Sequence, residues 1–441
     1  MRPDPAPARP AAESIWTDPG PVERLDFGGG PGGRQGAPKA PFKFIEEDKG
    51  GTNPKIKVSD ANGREWGVKG GEEVNAEVFA SRIAWAAGYY VEPSYFVKSG
   101  KIDGVTGLSR AKKYVAPDGS FADARFELKQ GGITKLKDRE SWHWDQNPFV
   151  NTKELAGLKI VLMLVSNWDS KDQRDGGRGS NTAIFKYERT GEVHYIFGDW
   201  GGSMGKWGGV FGRSKWDCKG FTSQTKDFIK GVSGNNVEFG YSGQRTDSVR
   251  TGITVADVQW AWSRLGKITD DQLRDALEAC GADALVLSGG FVSRAPMHVM
   301  RGAMPTRVMG GLLDDLLLAA GLRLAGQHLI KPVPYEENYF LEDATRVRAA
   351  VRLPLIYIGG AVSREGIDRV LARGFDAVAM ARALIREPDF VNRLRREEAD
   401  RSPCDHCNYC AARIYSTSMA CHHREPPPPR VARFVDENGA R

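Results

Sequence analysis

The sequence predicts a two-part chain, an α+β domain followed by an α/β segment, and three observations carry that expectation. Short strand-like runs joined by tight turns fill much of the first half. From about residue 275, short apolar runs alternate with helical patterns, the mark of parallel βα units. Stretches rich in Pro and Gly flank these parts: residues 1–40, expected as a disordered arm, and residues 425–441, a tail containing four consecutive prolines. The expected division is therefore arm 1–40, α+β domain 41–270, βα segment 273–400, Cys-rich motif 401–424 and disordered tail 425–441.

The α+β domain opens with runs at Phe42–Glu47, Lys55–Asp60 and Glu65–Lys69. Gly50-Gly51-Thr52-Asn53 joins the first pair and Asn62-Gly63 the second, the latter a hairpin signal because both residues tolerate positive φ. Val78, Phe79, Ile83, Ala86 and Ala87 then recur at helical spacing until Gly88. Leu155, Leu158, Leu162 and Val165 form a second amphipathic helix that stops at Asn167-Trp168-Asp169. A polar loop leads to a hairpin, Thr182–Glu188 and Glu192–Phe197, turned at Thr190-Gly191 and ending in Gly198-Asp199-Trp200-Gly201-Gly202. Residues 203–250 are polar and Gly-rich and yield no element. In the βα segment the strands are expected at Ala284–Leu287, Leu355–Ile358 and Ala377–Met380, with helices around Arg364–Arg373 and Pro388–Arg396.

At 441 residues and 40% apolar composition the chain can bury substantial cores. Its 62 basic and 56 acidic residues leave a net charge of +6 with no long basic block, so no nucleic-acid partner is implied. No apolar run approaches the roughly 18 to 20 residues of a membrane span, and the first twelve residues lack the apolar core of a secretory signal. A cytoplasmic protein with a small-molecule substrate is expected. Four of the six cysteines crowd into residues 404–421, which suggests metal ligation rather than disulfides. Cys218 and Cys280 stand apart and read as small core residues.

Two constellations carry chemistry. In the first, Lys69 ends the third strand and Glu77 lies early in the following helix, with Glu73 as a rival partner for the lysine. Asp169 sits on a loop, Asn181 precedes the hairpin and Asp199 follows it. Phosphoryl transfer needs such an order: one carboxylate near the acceptor hydroxyl and two oxygen ligands for magnesium. Residues 42 to about 205 resemble an atypical kinase-like fold of the lipid-kinase and toxin-kinase type. That resemblance implies Asp169 as catalytic carboxylate, Lys171 as a phosphate or acceptor contact, Asn181 and Asp199 as magnesium ligands, and Lys69 with Glu77 as the ATP-binding pair. Two departures stand out: the long spacing from Asp169 to Asn181, and Asp-Trp-Gly where Asp-Phe-Gly is usual.

The second constellation lies in residues 273–423. Strands followed by Gly turns occur at Gly281–Gly290 and Leu353–Gly360, and Gly374–Arg382 ends in small residues and an arginine. Backbone N–H groups of such turns can approach a phosphate, and barrel enzymes often bind one after their last two strands. This segment resembles the C-terminal part of the old yellow enzyme family of NADH:flavin oxidoreductases, in the branch related to dienoyl-CoA reductase. The resemblance implies part of a (β/α)8 TIM barrel, an FMN phosphate held by Gly359, Gly360, Ala381 and Arg382, and NAD(P)H as co-substrate.

Cys404, Cys407, Cys410 and Cys421 follow at C-x2-C-x2-C-x10-C spacing, similar to that branch's [4Fe–4S] motif, although its third gap is one residue shorter than usual there. Zinc is the rival, since His406, His422 and His423 are near. Only about three of eight βα units are present, so the expected barrel is incomplete and no residue is assigned to hydride transfer. Its open edge needs cover from the upstream domain, a second copy or a partner chain. The expected function is thus an FMN-dependent NAD(P)H oxidoreductase (ene-reductase) relative, inactive if the first strands are lacking. The alternatives are an ATP/Mg-dependent phosphotransferase and a non-catalytic fusion.

Overall fold

The computed structural model describes residues 12–50, 53–136, 141–170, 181–209, 212–244, 247–287, 301–313, 315–413 and 420–426. The chain is a mixed α/β protein with several sheets, and it divides into two units, Met1–Ala282 and Asp283–Arg441. Among the described residues, no helix is long and apolar enough to cross a membrane.

In the first unit, β2 (Phe42–Asp48), β3 (Lys55–Ser59), β4 (Glu65–Gly70), β5 (Ser94–Asp103) and β6 (Ser120–Leu128) close into a barrel in the order β2-β3-β4-β6-β5. Alternate residues point inward, so Phe42, Ile56, Val58, Trp66, Val68 and Phe126 fill its interior. The β3–β4 turn works as its Asn-Gly pair implies. Gly63 has φ +73°, and the Asp60 carboxylate accepts the N–H groups of Asn62 and Arg64 at 2.9 and 3.0 Å. Helix α1 (Val74–Ala86) packs beside the barrel and ends at Gly88, φ +102°, where a Cβ would lie 2.1 Å from Trp16 Nε1.

A second sheet takes the order β1-β9-β8-β7, from β1 (Glu13–Ser14), β7 (Ile133–Lys135), β8 (Thr182–Tyr187) and β9 (Val193–Phe197). Strand β1 runs parallel to β9, with Glu13 opposite Val193. This corrects the expected disordered arm: over residues 12–40 the chain is packed, with Ile15, Val22 and Phe27 buried. The sequence hides this because the partners are distant and the turns short. Helix α2 (Lys153–Leu164), capped by Thr152, carries the buried run Leu155 to Met163 into the same core. The stretch that yielded no reading holds α3 (Cys218–Thr225), a hairpin of β10 (Ile229–Ser233) and β11 (Asn236–Phe239), and α4 (Asp247–Arg250). Helices α5 (Val255–Leu265) and α6 (Asp270–Ala279) follow, each opened by a capping box, Thr254 with Asp257 and Thr269 with Gln272. Cys280 is buried as expected, whereas Cys218 is exposed, a correction that follows from its place at the first turn of a surface helix.

In the second unit, β12 (Leu285–Leu287), β13 (Leu355–Ile358) and β14 (Ala377–Ala379) form a three-stranded parallel sheet. Helices α7 (Thr306–Leu312) and α8 (Leu316–Leu329) lie between the first two strands in sequence, followed by α9 (Leu341–Ala350). Helix α10 (Arg364–Ala372) connects β13 to β14, and α11 (Arg382–Arg386), α12 (Phe390–Arg395) and α13 (Tyr409–Ala412) follow. Leu355, Tyr357, Val370 and Phe375 form the core against Phe340 and Leu341.

Candidate functional site

Lys69 sits near the end of β4, where alternation turns its side chain out of the barrel toward α1. It is buried, and its Nζ lies 3.1 Å from Glu77 Oε2 and 2.5 Å from Glu73 Oε2. Both expected partners are therefore engaged. Glu77 in turn holds Arg125 at 2.5 Å, and Arg125 also pairs with Glu127. Burial by itself would lower Lys69, but the charges of Glu77, Asp199 and Glu73 outweigh it and raise the lysine above its ordinary range. Burial pushes the Glu77 carboxyl up, against the pull of Arg125 and Lys69. For Glu73, Lys69 and Lys215 overcome burial and hold the carboxyl down at about 2.

Asp199 follows β9, and its carboxylate meets those of Glu73 and Glu77 with ligand atoms all within 4.8 Å. Asn167, just after α2, joins the loops that carry Asp169 and Asp199. Its Nδ2 donates to Asp199 O at 3.0 Å and its Oδ1 accepts the Asp169 N–H at 3.1 Å. Trp168 N–H donates to Gly202 O at 3.1 Å. A Cβ on Gly202 would lie 2.9 Å from Asp169 Cβ, and one on Gly201 would lie 3.0 Å from Glu73 Oε2, so the paired glycines permit this closeness. Asn181 Nδ2 donates to Asp169 O at 2.5 Å, while Asn181 O accepts the Gly198 N–H. The structure thus brings Lys69, Glu77 and Asp199 together, and links Asp169 and Asn181 to them through the two loops. Lys171 lies outside the described residues. Sequence reasoning missed Asn167, which it took only as a helix stop, and Lys215.

In the second unit, Gly359 and Gly360 follow β13, and Ala381 and Arg382 follow β14, so all four lie at the C-terminal ends of neighbouring parallel strands. The donor types suit a phosphate. Arg382 Nη1, however, donates to Asn408 Oδ1 at 2.5 Å and to Arg301 O at 3.1 Å. The glycines answer to tyrosines, since a Cβ would lie 2.2 Å from Tyr357 Oη at Gly359 and 2.5 Å from Tyr339 Cε1 at Gly360. At the start of α10 an internal anion is already in place: Glu337 Oε1 accepts the N–H groups of Val362 and Ser363 at 2.8 and 2.7 Å.

Cys404, Cys407, Cys410 and Cys421 line one small cavity together with Arg382, Arg386 and His423. Arg386 Nη1 donates to Cys421 Sγ at 3.4 Å. Four thiols around a common hollow fit an iron–sulfur cluster in donor type and number. Cys407, Asp405 and His423, whose ligand atoms lie within 4.8 Å of one another, fit a single divalent ion.

No family model matches this chain. It is 39% identical over 150 residues to a 4,4'-dithiodibutanoate disulfide reductase of Rhodococcus erythropolis, a match covering 34% of this chain and 37% of that protein. It is 30% identical over 138 residues to a thiamine-phosphate synthase of Methanoregula boonei, covering 29% of this chain and 62% of that protein. The chain thus spans about a third of the first of these relatives and under two thirds of the second. Among solved structures it is similar to a Helicobacter pylori proinflammatory kinase, CtkA, at 11% identity and TM-score 0.32, covering 54% of this chain and 85% of the kinase. It is also similar to the Golgi casein kinase at 11% identity and TM-score 0.26, covering 58% and 76%.

Proposed function

We propose that the first unit is an ATP- and magnesium-dependent phosphotransferase. The observation that carries this reading is the buried Lys69, held by Glu77 with the Asp199 carboxylate beside them. In this reading Lys69 binds nucleotide phosphates, Asn181 and Asp199 hold magnesium, and Asp169 accepts the proton of the acceptor hydroxyl as its oxygen takes the γ-phosphoryl group and ADP leaves. The test is ATP consumption with magnesium by the full chain and by Asp169→Asn and Asp199→Asn. Loss in both variants supports the reading, and unchanged consumption overturns it.

A second reading concerns the C-terminal part and is favoured by the likeness to a disulfide reductase. We assign that likeness to residues 273–423 on the strand motifs, and read this part as derived from FMN-dependent NAD(P)H oxidoreductases of a partial TIM-barrel type. Gly359, Gly360, Ala381 and Arg382 would hold the FMN phosphate, and Cys404, Cys407, Cys410 and Cys421 a [4Fe–4S] cluster. Bound flavin would supply hydride acceptance from NAD(P)H. A second copy or partner chain would cover the sheet edge. A visible spectrum and metal analysis of anaerobically purified protein test this, and a colourless, iron-free protein overturns it.

A further inference from the structure

Lys215 is a loop lysine with only 19% of its side chain exposed, and none of the roles above uses it. The backbone on both sides of it is fixed: Ser214 O accepts from Trp168 Nε1 at 2.9 Å, and Trp216 N–H donates to Ser203 O at 3.3 Å. The ammonium lies 5.4 Å from the centre of the Trp168 ring, next to Asp169 in sequence. It pairs with Glu73 Oε1, while Glu73 Oε2 receives Lys69 at 2.5 Å and Asn53 Nδ2 at 2.5 Å. One carboxylate therefore holds two ammonium groups, one from the barrel and one from the loop that follows Asp199.

We propose that Lys215 is a second phosphate-binding cation, which takes the terminal phosphate of a nucleoside triphosphate while Lys69 takes the inner phosphates. Glu73 is the internal counter-anion that both lysines exchange for phosphate. This assignment rests on the phosphotransferase reading. An ammonium is a compact charge with three donors, suited to a tetrahedral oxyanion with acceptors on several sides. It is held over Trp168, the neighbour of Asp169, and against Glu73, the carboxylate that also receives Lys69.

The experiment is calorimetric titration of the full chain with ADP and with a non-hydrolysable triphosphate analogue, both with magnesium. Lys215→Met is expected to weaken the analogue about tenfold, the loss of one charge-assisted contact, and ADP by less than about twofold. Lys215→Arg restores most of the analogue affinity, and Lys69→Met weakens both ligands. Equal weakening of both ligands by Lys215→Met identifies a structural latch and overturns the proposal, as does no weakening. Wild-type protein that binds neither nucleotide overturns the phosphotransferase reading and this assignment together, whereas normal wild-type binding with an unaffected Lys215→Met overturns the assignment alone. Far-UV circular dichroism checks the fold of each variant. If Lys215→Met does not fold, Lys215→Gln carries the same comparison.

Discussion

Asn167 and Asp199 are joined by a hydrogen bond of 3.0 Å from the asparagine side chain to the aspartate carbonyl, and the same side chain caps Asp169. Asn167 is fully buried, and Tyr241 donates to its backbone carbonyl. Replacing it with Ala removes its bonds to the Asp169 N–H and the Asp199 carbonyl, both part-buried. Asn167→Ala is expected to cost about 1 to 3 kcal/mol in urea unfolding and to abolish magnesium-dependent ATP consumption even where the protein remains folded.

Gly202 is expected to tolerate no side chain. Its added Cβ would stand 2.9 Å from Asp169 Cβ, so the two loops must part. Gly202→Ala should lower the unfolding free energy by about 1 to 3 kcal/mol, with a larger fractional loss of ATP consumption than of nucleotide affinity. Gly131→Ala, at an exposed position with nothing near the added atom and no positive φ, serves as the control for activity.

Two carboxyls give opposite pH slopes. Glu92 is raised to about 7 by burial and by the Glu127 charge. The native state then keeps a proton that the unfolded chain releases, so this group's contribution to stability falls as pH rises from 4.5 to about 7. Glu92→Gln is expected to flatten that fall and to gain about 1 to 3 kcal/mol at pH 8. Glu73, held at about 2, contributes stability above 4.5 that disappears as pH falls toward 2, so Glu73→Gln should flatten the acid limb instead. Chemical unfolding at pH steps from 2 to 9 separates the two.

In the second unit, Cys404→Ser, Cys407→Ser, Cys410→Ser and Cys421→Ser are each expected to reduce bound iron after anaerobic reconstitution, measured by mass spectrometry. His423→Ala discriminates the metal. It should leave a four-thiolate cluster in place and empty a site built from Cys407, Asp405 and His423. Cys218, the exposed thiol, should react first with iodoacetamide and its loss should leave metal content unchanged.

What the sequence disclosed was local. Asn62-Gly63 fixes the β3–β4 register, Thr190-Gly191 the β8–β9 hairpin, and a strand-end lysine with a glutamate on the next helix brings Lys69 to Glu77. What it concealed depends on contacts between distant residues. Lys215 meets Glu73 across 142 positions, and Asn167 meets Tyr241 across 74. Arg382, expected on a phosphate, finds Asn408 in the Cys-rich motif, a partner that strand motifs cannot announce. The packed segment before residue 40 lacks apolar periodicity because a one-turn 3-10 helix and loops, rather than longer helices or strands, bury Val22 and Phe27.

The parallel pairing of β1 with β9 sets an order of events during synthesis. Glu13 is matched to Val193, 180 positions later, and Ala12 O accepts the Val193 N–H at 3.0 Å. A ribosome releases Glu13 and Ser14 long before it has made Val193 and His194, so this pairing waits for the β8–β9 hairpin, whereas Trp16 and Thr17 can meet Ala87 and Gly88 earlier. Strand β1 is thus an edge strand added to a β8–β9 pair that can form without it. Across that late pairing the Tyr195 hydroxyl of β9 donates to Glu13 Oε2 at 3.1 Å, a side-chain clasp between residues 182 positions apart.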